Sequence, residues 1–401
     1  MVAGVLSKDD SLRSAVVRNN ADRQARGLPP SSINTAAYSD GRTRLNLGVL
    51  VGTAKGLAVQ TNAAVPEGAF WEKFTPYVID GTTVTANDTN ANQQAFPQHA
   101  SQADGVGFPI LRVVAIQSLL TGMICELAVA PFKGKGTGEM ALAREILPAL
   151  KGNALLLGDR YFPSFFLLAD LLQRGWNGIF PSHGARAVDF RRGKSLGKKD
   201  HLVTWDRPAR PAWMSESEYE KYPSSITMRE LEVREKQSGT QPLVIVTTLI
   251  DESKYPKSRI SAMYKKRWKV EVALRDLKDT FGMGHIAAGT PAMIEKIIWA
   301  HVLAYNVLRW HMLNASALYC KEVDEVSVTG AAAVITANAV MMATVPRSAL
   351  AALFSSIYAQ IVQVPVGRRP GRVEPRAIKK RPKPRKYLME KRSAWHARQS
   401  A

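Results

Sequence analysis

The sequence predicts an α/β fold in which helices flank a mixed sheet, with a helical N-terminal region and a β-rich insertion. Residues 1–70 carry the Ser caps and mixed amphipathic runs that are typical of helices. From residue 76 to 183, short β-branched or apolar runs come first, and strand and helix patterns then alternate. Residues 184–250 return to strand-like runs separated by polar loops. These three changes of pattern define the predicted architecture.

The elements of the sheet are predicted one by one from runs bounded by Gly, Pro and Asn. Strands are expected at PYVIDGTTVTAND, FPILRVVAIQS and MICELAVAPF, followed by a helix at GEMALAREILPAL. Next come a strand at NALLLGDR, a helix at FPSFFLLADLLQRG and a strand at WNGIFPS. After the insertion a helix opens at residue 259, and helical patterns continue through IEKIIWAHVLAYNVLRW.

The charge of the chain points to a nucleic-acid partner. Its 401 residues include 54 Lys and Arg against 34 Asp and Glu, which gives a net charge of +20. Phosphate backbones reward distributed positive charge. The segment 366–392 is the most basic part of the chain and is rich in proline, so it is expected to be a tail that contacts a polyanion. Within it the expected DNA contacts are Arg368, Arg369, Lys379, Lys380 and Arg381.

Several function classes are disfavoured by the motifs that the sequence lacks. The two cysteines, Cys125 and Cys320, form no ligand-spaced set, which argues against a zinc site or a disulfide framework. There is no HExxH. No apolar run approaches the length of a membrane span, so the protein is expected to be soluble and cytoplasmic.

The stretch YKKRWKVEVALRDLK, residues 264–278, places one glutamate in the middle of a basic run. At about 100° per residue, Tyr264, Arg267, Glu271 and Lys278 share one polar stripe, while an apolar stripe lies about 90° away. Lys265 adds a further positive charge. A solvated amphipathic helix with local ion pairs explains the same pattern, and helix geometry alone favours it.

Two aspartates are expected at the ends of strands. Asp80 follows Val78 and Ile79, and Asp159 follows the run Leu155–Leu157. The alternatives are a hairpin turn at Asp80 and a helix cap at Asp159. Together with Glu271, these carboxylates form the set that a pair of divalent metal ions needs, because Mg²⁺ prefers oxygen ligands.

Two further features have a structural and a functional interpretation. Gly136, Gly138 and Ala141 imitate a dinucleotide-binding fingerprint, which keeps an NAD(P)-dependent oxidoreductase as a remote alternative, although a plain connecting loop fits better. Trp205 and Trp213 are expected to pack in the core, with stacking on an exposed base as the alternative.

The spacing of Tyr264, Arg267, Glu271 and Lys278, with two, three and six intervening residues, resembles the Tyr-Arg-Glu-Lys signature of bacterial insertion-sequence transposases of the DDE class. VIDGTTVTANDTNANQQAFPQ looks like the first-aspartate block of that family, and LLLGDRYFPSFFLLADLL looks like the second. The resemblance extends from about residue 30 to 385. One departure is Tyr161, at a position where the family commonly has a small residue.

The resemblance implies a ribonuclease-H-like catalytic core made of residues 71–183 and 251–320, with residues 184–250 inserted between its parts. Residues 1–70 would be a DNA-binding region, and residues 321–401 would form C-terminal helices and the basic tail.

For the site, the resemblance implies that Asp80, Asp159 and Glu271 are the catalytic residues and bind two Mg²⁺ ions, with Mn²⁺ as a substitute. Tyr264, Lys265, Arg267 and Lys278 would contact DNA. The expected partners are double-stranded DNA, as terminal inverted repeats and as target, and a second copy of the chain in at least a dimer. The alternative is a DNA-binding relative of a transposase that has lost catalysis.

Overall fold

The computed structural model of the protein describes residues 1–7, 9, 11–69, 71–184, 186–233, 242–367 and 389–399. The N-terminal region is helical, as predicted. Its helices are α1 (Val2–Leu6), α2 (Leu12–Ala25), α3 (Ala36–Arg44) and α4 (Leu47–Ala63). Side chains satisfy the first free amides of two of these helices: Ser11 caps α2 and Asn46 caps α4.

The central sheet follows in the order that the sequence predicts. Its elements are β1 (Thr75–Ala86), α5 (Asn90–Ala95), β2 (Ile110–Ser118), β3 (Ile124–Pro131), α6 (Glu139–Ile146), β4 (Ala154–Leu157), α7 (Phe165–Gln173) and β5 (Asn177–Pro181). The first three strands pair antiparallel, whereas β4 runs parallel to β1 and β5 runs parallel to β4. The strand order β3-β2-β1-β4-β5, with helices on the sheet, confirms the predicted α/β class and its ribonuclease-H-like arrangement.

The inserted segment extends the same sheet. It contributes β6 (Lys194–Gly197), β7 (Asp200–Asp206), α8 (Glu216–Tyr219), β8 (Ser225–Val233) and β9 (Leu243–Thr247). These strands pair antiparallel with one another, and β9 pairs antiparallel with β5 from Ile179↔Thr247 onward. The inserted strands and the first five strands therefore share one sheet.

The last part of the chain is mainly helical. It comprises α9 (Lys257–Tyr264), a 3₁₀ turn (Lys265–Arg267), α10 (Trp268–Arg275), a π-helical turn (Asp276–Thr280), β10 (His285–Ile286), α11 (Pro291–Leu318), α12 (Val328–Thr344), α13 (Leu350–Val362) and α14 (Arg392–Gln399). Among the described residues, no helix is long and apolar enough to cross a membrane.

The two faces of the sheet are covered by different helices. Because side chains alternate along a strand, Val78 joins a core with α4, α10 and α11, while Ile79 joins a core with α6 and α7. Helix α10 contributes Val270, Ala273 and Leu274 to the first of these cores. This packing fixes α10 on the face of the sheet to which Val78 points.

Candidate active site

Asp80 and Asp159 lie side by side on neighbouring parallel strands. The parallel register of β1 and β4 ends at the pair Val78↔Leu157, and each aspartate lies two residues beyond that pair. Adjacent strands are about 4.8 Å apart, so the two carboxylates leave the sheet at the same place. Both are part-buried. The two aspartates therefore lie on neighbouring segments, at the same end of the β1–β4 pair.

The predicted end of the strand at Asp80 is wrong. β1 continues for six residues beyond it, to Ala86, because β2 stays paired with β1 as far as Thr85↔Ile110. The hairpin alternative at Asp80 fails for the same reason. Asp80 is still accessible because the neighbouring strand β4 is shorter and ends before it reaches the level of Asp80.

The turn after β4 fixes Asp159. Its Oδ1 accepts a hydrogen bond from the backbone N–H of Tyr161, 2.8 Å away. Tyr161 is 66% exposed, and its backbone is not left-handed, so the turn accommodates this large residue in place of a small one. The helix-cap alternative for Asp159 is wrong, since Ser164 accepts from the N–H of Leu167 and caps α7.

The helix that carries Glu271 is less regular than the sequence pattern suggests. A 3₁₀ turn separates α9 from α10, and a π-helical turn follows α10. The 3₁₀ turn overwinds the chain relative to an α-helix and the π turn underwinds it, so their angular effects oppose each other. Glu271 lies in the first turn of α10 and Lys278 in the π turn.

Arg267 and Glu271 form a close ion pair. Arg267 Nη2 lies 2.5 Å from Glu271 Oε1, one helical turn away. The arginine side chain is 20% exposed and the glutamate side chain 51%. The local ion pairing that the sequence left open is therefore present, and it involves the expected third carboxylate.

Lys278 is anchored on the strand that carries Asp80. Its Nζ donates a hydrogen bond to Thr82 Oγ1 at 3.2 Å, although the two residues are 196 positions apart. Thr82 and Asp80 are two residues apart on β1, so their side chains point to the same face of the sheet. Asp80, Thr82, Glu271 and Lys278 all line one open cleft of about 380 Å³.

Two other residues of the polar stripe, and Lys265 beside them, line a neighbouring cleft. Tyr264, Lys265 and Arg267 border a space of about 360 Å³, together with Trp268, whose ring is 59% exposed. The single stripe expected from helix geometry is therefore divided between two clefts, and the Arg267–Glu271 pair lies at their boundary.

The electrostatics show that the three carboxylates share one environment. The pKa of Asp80 is raised to about 6, mainly by burial and also by the negative charges of Asp159 and Glu271. The N–H of Gly81 and the guanidinium of Arg267 act in the opposite direction. The pKa of Tyr264 is also raised, mainly by burial. Asp80 therefore lies within the electrostatic influence of both other acids.

The chemistry of these residues fits a divalent cation. Carboxylate oxygens are the ligands that such ions prefer, and the mutual repulsion of the acids is what a cation would relieve. Among the described residues, no three acidic, His or Cys side chains are close enough together to hold a metal ion in this arrangement. Glu271 is instead engaged by Arg267.

Five of the residues expected to contact DNA belong to the basic tail. Arg368, Arg369, Lys379, Lys380 and Arg381 lie outside the described residues.

The two tryptophans differ in their surroundings. Trp205 is 5% exposed, and its Nε1 donates to Glu230 Oε1 at 3.0 Å, so it packs in the core. Trp213 is 53% exposed, and the guanidinium of Arg144 lies 3.8 Å from its ring centroid.

The sequence reasoning passed over one more acid, Glu139. It is the first residue of α6, and its carboxylate lies where a side chain on Gly81 would stand, 2.7 Å from that Cβ position. Burial raises the pKa of Glu139, Arg112 lowers it and Asp159 raises it. An acid at the start of the helix after the third strand was the available signal, but the preceding glycines suggested only a loop.

The dinucleotide-binding alternative lacks its structural context. That fingerprint requires a parallel strand–helix–strand unit, whereas β3 before this loop pairs antiparallel with β2. Gly138 simply precedes α6 as its N-cap.

Comparisons with known proteins identify the family of the chain. A family model described as a transposase DDE domain matches residues 71–307, which include all three acids. The transposase InsG of insertion sequence element IS4 from Escherichia coli K12 is 25% identical over 254 residues, which are 61% of this chain and 53% of InsG. The chain thus matches about half the length of that relative.

A solved structure, the piggyBac transposase synaptic complex with hairpin DNA, aligns over 75% of this chain and 59% of the piggyBac chain. Its sequence identity is 11% and its TM-score 0.42, so it adds nothing to the assignment. The family model alone covers more than half of the chain and spans the segments that carry Asp80, Asp159 and Glu271. The chain therefore belongs to the transposase DDE domain family.

Proposed function

We propose that the protein is the DNA transposase of an insertion sequence, which cleaves the ends of its element and joins them to target DNA. The observation that carries this proposal is that Asp80 lies within electrostatic reach of both Asp159 and Glu271, beside two clefts lined in part by basic residues. Family membership supports metal-dependent chemistry on DNA. InsG is described as a transposase of IS4, and the match with this chain covers about half of InsG.

The three carboxylates would hold divalent metal ions, and we take these to be two Mg²⁺ ions with Mn²⁺ as a substitute. Bound ions would activate water and neutralise charge at the phosphate. Asp80 and Asp159 are well placed for this role because a paired strand and a hydrogen-bonded turn fix their backbones. Asp80 has to be ionised to act as a ligand, so activity should rise as the pH passes about 6.

The basic side chains would position the DNA. Lys278 lies against Thr82 beside the acids and would neutralise a phosphate next to the reacting one. Tyr264, Lys265 and Arg267 would contact phosphates in the neighbouring cleft. The positive residues between 368 and 381 would add affinity along the duplex, and binding would weaken with salt.

The reaction sets the remaining partners. An insertion sequence has two ends, so two active sites have to meet and the working form would be at least a dimer. Its substrates would be the terminal inverted repeats and the target duplex. The place of action would be the nucleoid in the cytoplasm.

Cleavage of a defined end tests this proposal. The substrate is a labelled duplex that carries the terminal repeat read from the DNA bordering the gene. Asp80→Asn, Asp159→Asn and Glu271→Gln should each slow nicking by about 10³-fold or more, since each loss removes several kcal/mol of transition-state stabilisation. Glu145→Gln, an exposed acid of α6, is the control and should cut like the wild type. Equal nicking by all of these proteins would refute the assignment.

A catalytically inactive DNA-binding relative is the second candidate. It is favoured by the engagement of Glu271 with Arg267, which leaves the third carboxylate paired. Salt-sensitive binding of the terminal repeat without nicking in Mg²⁺ or Mn²⁺ would support it. Metal-dependent nicking that the three carboxylate substitutions abolish would exclude it.

A further inference from the structure

A single guanidinium lies beside two of the three acids. Arg267 makes the 2.5 Å contact with Glu271 and is four-fifths buried. It also lies close enough to Asp80 for each charge to favour the ionised form of the other. Its guanidinium carbon is 5.8 Å from the ring centroid of Tyr264. Arg267 therefore lies between the acids and the neighbouring cleft that Tyr264 lines.

This position creates a competition. A carboxylate oxygen that accepts a hydrogen bond from a guanidinium has less capacity to bind a metal ion, and the positive charge repels an incoming cation. An ion pair whose carboxylate is half exposed to water is weak, worth about 1 kcal/mol or less, so it is readily exchanged. The 3₁₀ turn Lys265–Arg267, whose hydrogen-bond geometry is poor, is a suitable place for the rearrangement.

We propose that Arg267 is an internal counter-ion that holds Glu271 until a divalent ion displaces it, and that the released guanidinium then binds a DNA phosphate in the neighbouring cleft. This inference rests on the proposed function, since it requires both a metal site and a DNA substrate. It adds a coupling between the two ligands. By thermodynamic reciprocity, DNA should strengthen metal binding by the same factor by which metal strengthens DNA binding.

A static role for the same pair makes the opposite prediction. If Arg267 only held Glu271 in the position that a metal ion needs, its loss would weaken metal binding or leave it unchanged. If Arg267 is a counter-ion, its loss should strengthen metal binding in the DNA-free protein. The sign of one change in affinity therefore separates the two roles.

The experiment measures the affinity of the full-length protein for Mn²⁺ by the electron paramagnetic resonance of the free ion, with and without a short 5′-phosphorylated duplex. Arg267→Gln should bind Mn²⁺ about fivefold more tightly than wild type without DNA, the size expected for the loss of a competing ion pair. It should also lose the enhancement that the duplex gives the wild type. Arg267→Lys keeps the charge without the planar fork and should lie between the two.

Lys278→Gln is the matched control for charge alone, because Lys278 lines the cleft of Asp80 and Glu271 but bonds to a hydroxyl. An equal gain in Lys278→Gln and Arg267→Gln would reduce the effect to general electrostatics and overturn the proposal. Unchanged or weaker Mn²⁺ binding by Arg267→Gln would also overturn it, while leaving the metal site intact. If Mn²⁺ binds the wild type no better than the Asp80→Asn, Asp159→Asn, Glu271→Gln triple variant, the proposed function fails as well.

Discussion

Asp80→Asn should make the protein more stable at neutral pH while it destroys the site. The carboxyl group of Asp80 is part-buried, and its pKa is raised from 3.8 to about 6, mainly by burial and then by the charges of Asp159 and Glu271. An acid whose folded pKa is raised binds more protons in the folded state than in the unfolded state. Its ionisation therefore removes stability as the pH rises from about 4 to about 6, and the full cost remains above that.

The size of this cost follows from the shift. About two pKa units at 1.36 kcal/mol each give roughly 3 kcal/mol as a ceiling at pH 7.5. In the wild type, Asp80 Oδ1 accepts a hydrogen bond of 2.8 Å from the backbone N–H of Gly81. The asparagine removes the charge and keeps an oxygen that can accept this hydrogen bond. The substitution should therefore recover most of this free energy of unfolding at pH 7.5. At pH 4 it should recover none, because the wild-type side chain is already protonated there.

Thermal unfolding of both proteins at the two pH values measures this effect. Asp80→Asn should unfold a few degrees higher than wild type at pH 7.5 and at the same temperature at pH 4. Added Mg²⁺ should raise the wild-type midpoint and leave the variant unchanged, because only the wild type has the full ligand set. An identical difference at both pH values would show that Asp80 does not carry the electrostatic cost described above.

Three further substitutions test other parts of the structure. Lys278→Gln should lower the salt slope of DNA binding, measured by fluorescence anisotropy, by about 1, since one phosphate contact is lost; an unchanged slope would contradict that contact. Gly193→Ala should lower the unfolding midpoint clearly more than Gly81→Ala, because its Cβ would meet backbone at φ +72°, whereas that of Gly81 would meet a flexible carboxylate. Arg229→Met should cost about 3–5 kcal/mol, measured by denaturant unfolding, because it leaves Asp200 buried and unpaired; a smaller loss than that of an exposed Arg would contradict it.

The sequence predicted what depends on local pattern. The apolar run before Gly158 ends where β4 ends, so Asp159 was correctly expected just beyond a strand. The helix carrying Glu271 was also expected, because its apolar positions recur at helical spacing. Both predictions depend on residues that are close together along the chain.

The remaining features depend on pairing between distant segments. For Asp80 the sequence supports two expectations, a strand that runs through PYVIDGTTVTAND and a strand that ends at the aspartate, and the pairing of β1 with the distant β2 decides for the first. The pairing of β9 with β5, which extends the sheet, is of the same kind. The place of Glu139 could not be predicted because its neighbours, Gly81 and Asp159, belong to distant segments of the chain.

The central claim is that three segments far apart in sequence hold divalent ions at one place. Iron-directed cleavage of the polypeptide tests it without knowledge of the element's ends: Fe²⁺ replaces Mg²⁺, and radicals generated with ascorbate and peroxide cut the backbone beside the bound ion. We expect three cuts, near Asp80, Asp159 and Glu271, which excess Mg²⁺ suppresses and the three carboxylate substitutions abolish. Cuts at other positions, or the same cuts in the substituted proteins, would contradict the site.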